Sequence, residues 1–324
     1  MWLKASAIAV SLGVVAPQVS ADTFKSEDIF QLEYANQVSV SPDGNYVAYI
    51  RNSFDDMKDS TRRSLWVVDT RTGESLPIFD DGHSYSGLSW SNDSSRLAFT
   101  SNRNEKNQIH VYWLDEQKVA KVTNVHESPS SLSWSNDDQH IAFMMSVKAP
   151  ATDFAKSVKM PARPEGANWA DKAIIVEEAY YQRDGAGVLD PAHRQVFVVP
   201  ATGGSARQLT EGEYSHRGPL SWTQDNQHIV FSGNRSENWA YQINESDLYA
   251  VALADKSITQ ITDIPGEEYS AQFSPGGEQL VYLHSNNEPV PYHKNQLWVM
   301  DWDDRSSREL QADFDRSFAS PQWN

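Results

Sequence analysis

The chain of 324 residues contains no cysteine. That excludes disulfides, thiolate nucleophiles and thiolate metal sites, and it excludes a lipid-anchored lipoprotein, which needs a cysteine at its cleavage point. Positive charge is also scarce: 27 Lys and Arg stand against 44 Asp and Glu, for a formal net charge of −17. Binding to nucleic acid by phosphate neutralisation is thereby disfavoured, and the balance reads as a soluble surface of scattered carboxylates. The nine histidines show no metal-ligand spacing, so neither a metal nor another cofactor is expected. A sustained 3.6-residue apolar period is missing too, which argues against a helical architecture. Long apolar runs reduce to one, "ASAIAVSLGVVA" from Ala5 to Ala16. It is too short for a hydrocarbon core of about 30 Å. With Lys4 before it and the small residues of "VSA" ending at Ala21, it reads as a secretory signal over residues 1–21, which predicts a secreted chain, in a bacterial periplasm, with no membrane span.

What the sequence does contain is a repeat. Five segments align: "VSVSPDGNYVAYI" from Val38, "LSWSNDSSRLAFT" from Leu88, "LSWSNDDQHIAFM" from Leu132, "LSWTQDNQHIVFS" from Leu220 and "AQFSPGGEQLVYL" from Ala271. In each, a bulky apolar residue precedes an aromatic one by nine positions: Val40 and Tyr49, Trp90 and Phe99, Trp134 and Phe143, Trp222 and Phe231, Phe273 and Tyr282. The Pro, Asp, Asn and Gly between them set turn angles or bond back to turn amides, so each copy predicts a hairpin. A third strand follows in each copy, such as "SLWVVDT" or "QLWVMDW", and then a weaker fourth, such as "ITQIT". Four strands in units of 40 to 50 residues define a β-propeller blade. The expected fold is all-β: residues 22–324 form an incomplete propeller of five four-stranded blades plus the start of a sixth. Trp323 stands 50 residues after Phe273, where the sixth unit places its bulky residue. Tryptophans and turn carboxylates that recur in register read as packing positions rather than ligand sites. "DWDDRSSREL" from Asp301 lacks the glycine and spacing of a calcium loop.

One interval is twice as long as its neighbours. The excess lies between Val147 and His193 and reads as an insertion in the third blade, a place where binding or lid roles are common.

Here the sequence resembles a known family. "KMPARPEGANWADKAIIVEEAYYQRDGAGVLDPAHRQVFVVPATGGSARQLTEGEY", the opening "FKSEDIFQLEYANQVSVSPDGNYVAYI" and "FTSNRNEKNQIHVYW" are similar to the acylaminoacyl-peptidase and dipeptidyl-peptidase branch of the prolyl oligopeptidase family. The resemblance implies a parent with a propeller of seven blades that limits access to short peptides, and a C-terminal α/β-hydrolase domain with a Ser-Asp-His triad. That domain is expected beyond Asn324, as the propeller's own partner. No G-x-S-x-G elbow occurs in the chain, and "GGSAR" at Gly203 lacks the second glycine, so no catalytic residue is assigned to it. Glu177 and Glu178 are the candidate substrate-binding residues, since some dipeptidyl peptidases hold the substrate's amino terminus with paired glutamates and a carboxylate pair suits an ammonium group. Their flanks differ from that branch's motif, and neighbours in a strand face opposite ways. The alternative function is a stand-alone TolB-like periplasmic interaction propeller without catalysis. It would carry a separate domain before the blades, for which there is little room between Ala21 and the first strand.

Overall fold

The turns of the repeat close by a shared hydrogen-bond pattern. In the first copy the Ser41 hydroxyl donates to Asp43 Oδ1 at 2.6 Å, and the same carboxylate accepts from the Asn45 amide at 3.0 Å. Ser91 to Asp93, Ser135 to Asp137 and Thr223 to Asp225 repeat the first bond, each at 2.6 Å. Hydrogen bonds from Ser41 and the Asn45 amide hold the Asp43 carboxyl down at about 2, so this turn is built around an ionised side chain.

A computed structural model describes residues 23–149, 161–169, 176, 179, 181–189, 191–288, 290 and 292–323. The first sheet comprises β1 (Tyr34–Val40), β2 (Tyr46–Asp55), β3 (Ser60–Asp69) and β4 (Ser75–Phe79). The second comprises β5 (Tyr85–Trp90), β6 (Arg96–Asn104), β7 (Lys106–Trp113) and β8 (Lys118–Lys121). In the third, β9 (Ser130–Trp134) and β10 (His140–Lys148) are followed, beyond the small hairpin β11 (Gln182–Arg183) and β12 (Gly187–Val188), by β13 (Ala192–Pro200) and β14 (Arg207–Gln208). The fourth holds β15 (His216–Trp222), β16 (His228–Gly233), β17 (Asp247–Ala252) and β18 (Ile258–Gln260). The fifth holds β19 (Glu267–Phe273), β20 (Gln279–Ser285), β21 (Gln296–Asp301) and β22 (Ser307–Leu310). Within each four-stranded sheet the strands pair antiparallel in chain order, as in a propeller blade. The excess sequence of the third unit lies between β10 and β13, which pair without a slip from His140↔Pro200 to Lys148↔Ala192. It is therefore an insertion into one blade and leaves that blade's ladder intact.

Aromatic rings mark one face of every sheet. The ninth-position residue of each repeat stacks on its registered neighbour in the third strand: Tyr49 on Trp66, Phe99 on His110, Phe143 on Phe197, Phe231 on Tyr249 and Tyr282 on Trp298, with centroids 5.5 to 6.4 Å apart. The opposite face carries smaller residues, such as Ala98, Ile109 and Val111, which pack with Phe143, Phe197 and Trp134 of the next sheet. Ring faces thus meet aliphatic faces around the assembly, and four clusters of this kind form the core.

The repeating tryptophan adds a polar lock at each seam. Trp90 Nε1 donates to Ser39 O, Trp134 Nε1 to Ser89 O and Trp222 Nε1 to Ser133 O, at 3.0 to 3.2 Å. The acceptor is always the residue before the bulky position one sheet earlier. At the fourth seam phenylalanine has no donor, and the Phe273 amide instead donates to Ser221 Oγ at 3.0 Å. Trp323 resumes the pattern, donating to Gln272 O at 3.0 Å. A second lock ties the turns: the Asp43 amide donates to Ser94 Oγ, the Asn92 amide to Asp138 Oδ1 and the Asn136 amide to Asn226 Oδ1. The equivalent of these acceptors in the fifth sheet is Gly277, at φ +84°, which has no side chain to offer. There a cleft of about 450 Å³ opens between the fourth and fifth sheets, lined by Gln224, Asp225, His228, Glu278, Trp302 and Arg305 among others.

Candidate functional site

The two ends of the sheets are built differently. The end with the β1–β2 type turns is short and tightly bonded. The other carries the long connections: residues 149–191 between β10 and β13, 234–246 between β16 and β17, and 286–295 between β20 and β21. Long excursions on a rigid scaffold are where binding groups concentrate. Glu177 and Glu178 fall within the first of these but lie outside the described residues. At its exit His193 meets the Trp239 ring edge-on, with centroids 5.7 Å apart, so the insertion ends against the 234–246 connection.

A relay of buried polar groups runs from the third sheet to Arg235. Thr210 Oγ1 accepts from the Val196 amide at 2.9 Å and donates to Gln195 Oε1 at 2.8 Å. Its proton is thereby used, so its 3.2 Å contact with His216 Nδ1 makes that ring nitrogen the donor. His216 Nε2 is left as a bare acceptor and receives Arg235 Nη1 at 2.7 Å. His216 is fully buried, and burial first, then the neighbouring Arg235, pulls its pKa down to about 3. The imidazole is neutral at physiological pH. Arg235 lies over the Tyr214 ring at 4.7 Å and near the Tyr249 ring at 5.9 Å, and burial lowers its own pKa. Among the described residues no carboxylate lies within ion-pair distance of it.

An acidic pair, Asp247 and Glu268, lies beside Tyr249, whose hydroxyl donates to Asp247 Oδ2 at 3.4 Å. The seam between the fourth and fifth sheets is closed here by Ser246 N to Gly266 O at 2.9 Å and Glu268 N to Ser246 O at 2.7 Å. Gly266 has φ +135°, and a Cβ there would stand 2.2 Å from Ser285 O, so only glycine fits. Glu268 is fully buried, with Oε1 bonded to His284 Nδ1 at 2.5 Å. Glu268 Oε2 and Asp247 Oδ1 are both shielded from solvent without a hydrogen-bond partner. Burial, followed by the charge of Glu268, pushes the Asp247 carboxyl up to about 7.

These residues were missed in the sequence because they converge from different strands, yet one signal was present. Asp247 stands two residues before the ring of the third strand, where the second, third and fifth sheets carry Gln108, Gln195 and Gln296. Gln108 Oε1 and Gln195 Oε1 each accept from a threonine hydroxyl, at 2.9 and 2.8 Å. An aspartate breaks that pattern, and a broken repeat is a better pointer than the repeat itself. Among the described residues no group of three His, Asp or Glu could hold a metal ion, and no helix is long and apolar enough to cross a membrane.

The fold and its two unlike ends define the class: a propeller assembled from four-stranded antiparallel blades. Residues 177–291 match the family described as the dipeptidyl peptidase IV N-terminal region. Dipeptidyl-peptidase 5 of Porphyromonas gingivalis is 24% identical over 96% of this chain and 47% of its own length. The uncharacterized peptidase YuxL of Bacillus subtilis is 25% identical over 65% of this chain and 31% of its own length. Among solved structures, the acylaminoacyl peptidase of Pyrococcus horikoshii superposes with a TM-score of 0.68 at 16% identity, over 91% of this chain and 42% of that one. The chain thus spans less than half the length of these relatives. Over residues 177–291 it is similar to the N-terminal region of dipeptidyl peptidase IV, and it shares its fold with part of the acylaminoacyl peptidase.

Proposed function

We propose that this chain is the substrate-gating propeller of a secreted serine exopeptidase of dipeptidyl- or acylaminoacyl-peptidase type. The Ser-Asp-His triad would lie in an α/β-hydrolase domain outside residues 1–324, and the substrates would be short peptides. The observation that carries this reading is the match of residues 177–291, which contain the Arg235 connection and the latter part of the insertion, to the dipeptidyl peptidase IV N-terminal region. The length of the relatives beyond the shared part leaves room for a catalytic domain. The propeller would act by exclusion, admitting segments thin enough to reach the serine.

The test is to express the complete coding region and assay chromogenic free-amino dipeptidyl substrates beside N-acetyl-aminoacyl ones. Saturable hydrolysis of one class, blocked by a serine-directed fluorophosphonate, is expected; hydrolysis of neither overturns the proposal. We assign Glu177 and Glu178 to the substrate's ammonium group. Replacing both with Gln should raise KM for free-amino substrates about tenfold, the loss of one charge-assisted hydrogen bond, and leave N-acetylated ones unaffected. An unchanged KM removes that assignment.

A further inference from the structure

We propose that Arg235 is a receptor for the carboxylate of a peptide. Its guanidinium spends one N–H on His216 Nε2, while Nε and Nη2 have no acceptor among the described residues. Two parallel donors on a planar fork match the two oxygens of a carboxylate.

The way Arg235 is anchored favours a ligand over a structural role. A half-buried cation is costly unless it is paired. An aspartate or glutamate at 216 would neutralise it. The chain instead supplies a fully buried imidazole whose tautomer is fixed by the Gln195 and Thr210 relay, so the guanidinium is positioned without losing its charge. The Tyr214 and Tyr249 rings hold it from the side and add no counter-charge. The carrier loop is ordered as well: Asn234 Oδ1 accepts from the Ser236 amide at 3.0 Å, and Asn234 Nδ2 donates to Gln242 O at 3.0 Å. In a chain with 44 acidic residues, an arginine prepared in this way and left without a carboxylate is set for one from outside. The net charge of −17 disfavours a polyanion and leaves a single carboxylate as the fitting guest. That the guest is a peptide rests on the peptidase reading above.

The test uses the chain itself with three probes: N-acetyl-Ala-Ala, its C-terminal amide, and N-acetyl-Asp-Ala-amide. Calorimetry at low ionic strength should give at least about tenfold tighter binding of the free acid than of the amide, a preference that salt weakens. Arg235→Gln should abolish the preference. Arg235→Lys, which keeps the charge and loses the fork, should retain only part of it. Equal binding of acid and amide, no binding of any probe, or a preference that survives in Arg235→Gln overturns the proposal. Binding of the aspartyl probe like the free acid would support the receptor and name a side chain as the source. Circular dichroism reports whether Arg235→Gln is folded, and the His216 ring ¹⁵N shifts report whether the change is confined to the hydrogen bond at Nε2. If the variant is unfolded, the acid-to-amide ratios of wild type and Arg235→Lys decide: a ratio undiminished by lysine overturns the proposal. Hydrolysis by the full-length protein without carboxylate preference would sink this inference and leave the proposed function standing; the reverse result would do the opposite.

Discussion

Trp134→Ala is expected to cost about 3–5 kcal/mol of folding free energy, whereas Val40→Ala, at the same position of the repeat, is expected to cost less than about 1 kcal/mol. The sequence treats the two alike: each opens a hairpin and precedes its aromatic partner by nine residues. The fold does not. Trp134 is 5% exposed and packs in the cluster that joins the second and third sheets, with its Nε1 on Ser89 O and the Arg96 guanidinium 4.8 Å from its ring. Its removal would leave a cavity at a seam and an orphaned carbonyl, and would take away the cation–π partner of Arg96. Val40 is 58% exposed, because the ring face of the first sheet is not covered by another sheet among the described residues. Urea midpoints of the two variants check the contrast. Equal costs would mean that the seams do not carry the stability of the assembly.

That contrast shows how far the repeat could be read. Hairpin register, turn chemistry and the division into four-stranded units follow from spacing alone, because a strand alternates faces every residue and a turn needs particular side chains. The insertion in the third unit was legible as a doubled interval. Burial was not, since nothing in the spacing says that a sheet precedes Trp134 and that none among the described residues precedes Val40. The seam locks were also hidden: that Trp90, Trp134, Trp222 and Trp323 each reach one sheet back is a property of blade packing, and Phe273 takes the same place with its backbone amide. At the long-loop end the sequence drew attention to Glu177 and Glu178 because they are adjacent. Arg235 and His216 escaped because they stand 19 residues apart and meet only when β15 pairs with β16. Constellations of this kind are assembled by topology, and a linear reading finds them only where, as at Asp247, a repeat is broken.

Asp247 carries a pH effect that a single substitution can isolate. Its pKa rises from 3.8 in the unfolded chain to about 7 in the fold, chiefly through burial and then through Glu268, with Glu245 and Asp263 adding to it. A carboxyl raised in this way binds its proton more tightly when folded. Its contribution is therefore fully present below pH 3.8, falls as pH rises from about 4 to 7, and is gone above. A shift of about three units would correspond to about 4 kcal/mol; Asp247 is only half-buried, and solvent screening brings the expected loss to about 1–2 kcal/mol. His216, with its pKa pulled down to about 3, works in the opposite sense, losing stability as pH falls below 6.5, so the total profile of the wild type conceals both. The difference between wild type and Asp247→Asn separates them, because His216, Glu245, Asp263, Glu268, His284 and Tyr249 are common to the two chains. Asp247→Asn should be more stable than wild type by about 1–2 kcal/mol at pH 8, and the gap should shrink to about a quarter of that by pH 4.5. Asp247→Gln should match Asp247→Asn at pH 8, since it restores the residue type found at Gln108 and Gln195 and offers Thr262 the acceptor that their threonines have; in the wild type Thr262 Oγ1 accepts from the Leu248 amide at 2.8 Å. Parallel curves for wild type and Asp247→Asn across pH 4.5 to 8 would mean that the seam between the fourth and fifth sheets admits enough water to keep Asp247 ionised. The unpartnered oxygens of Asp247 and Glu268 would then be hydrated.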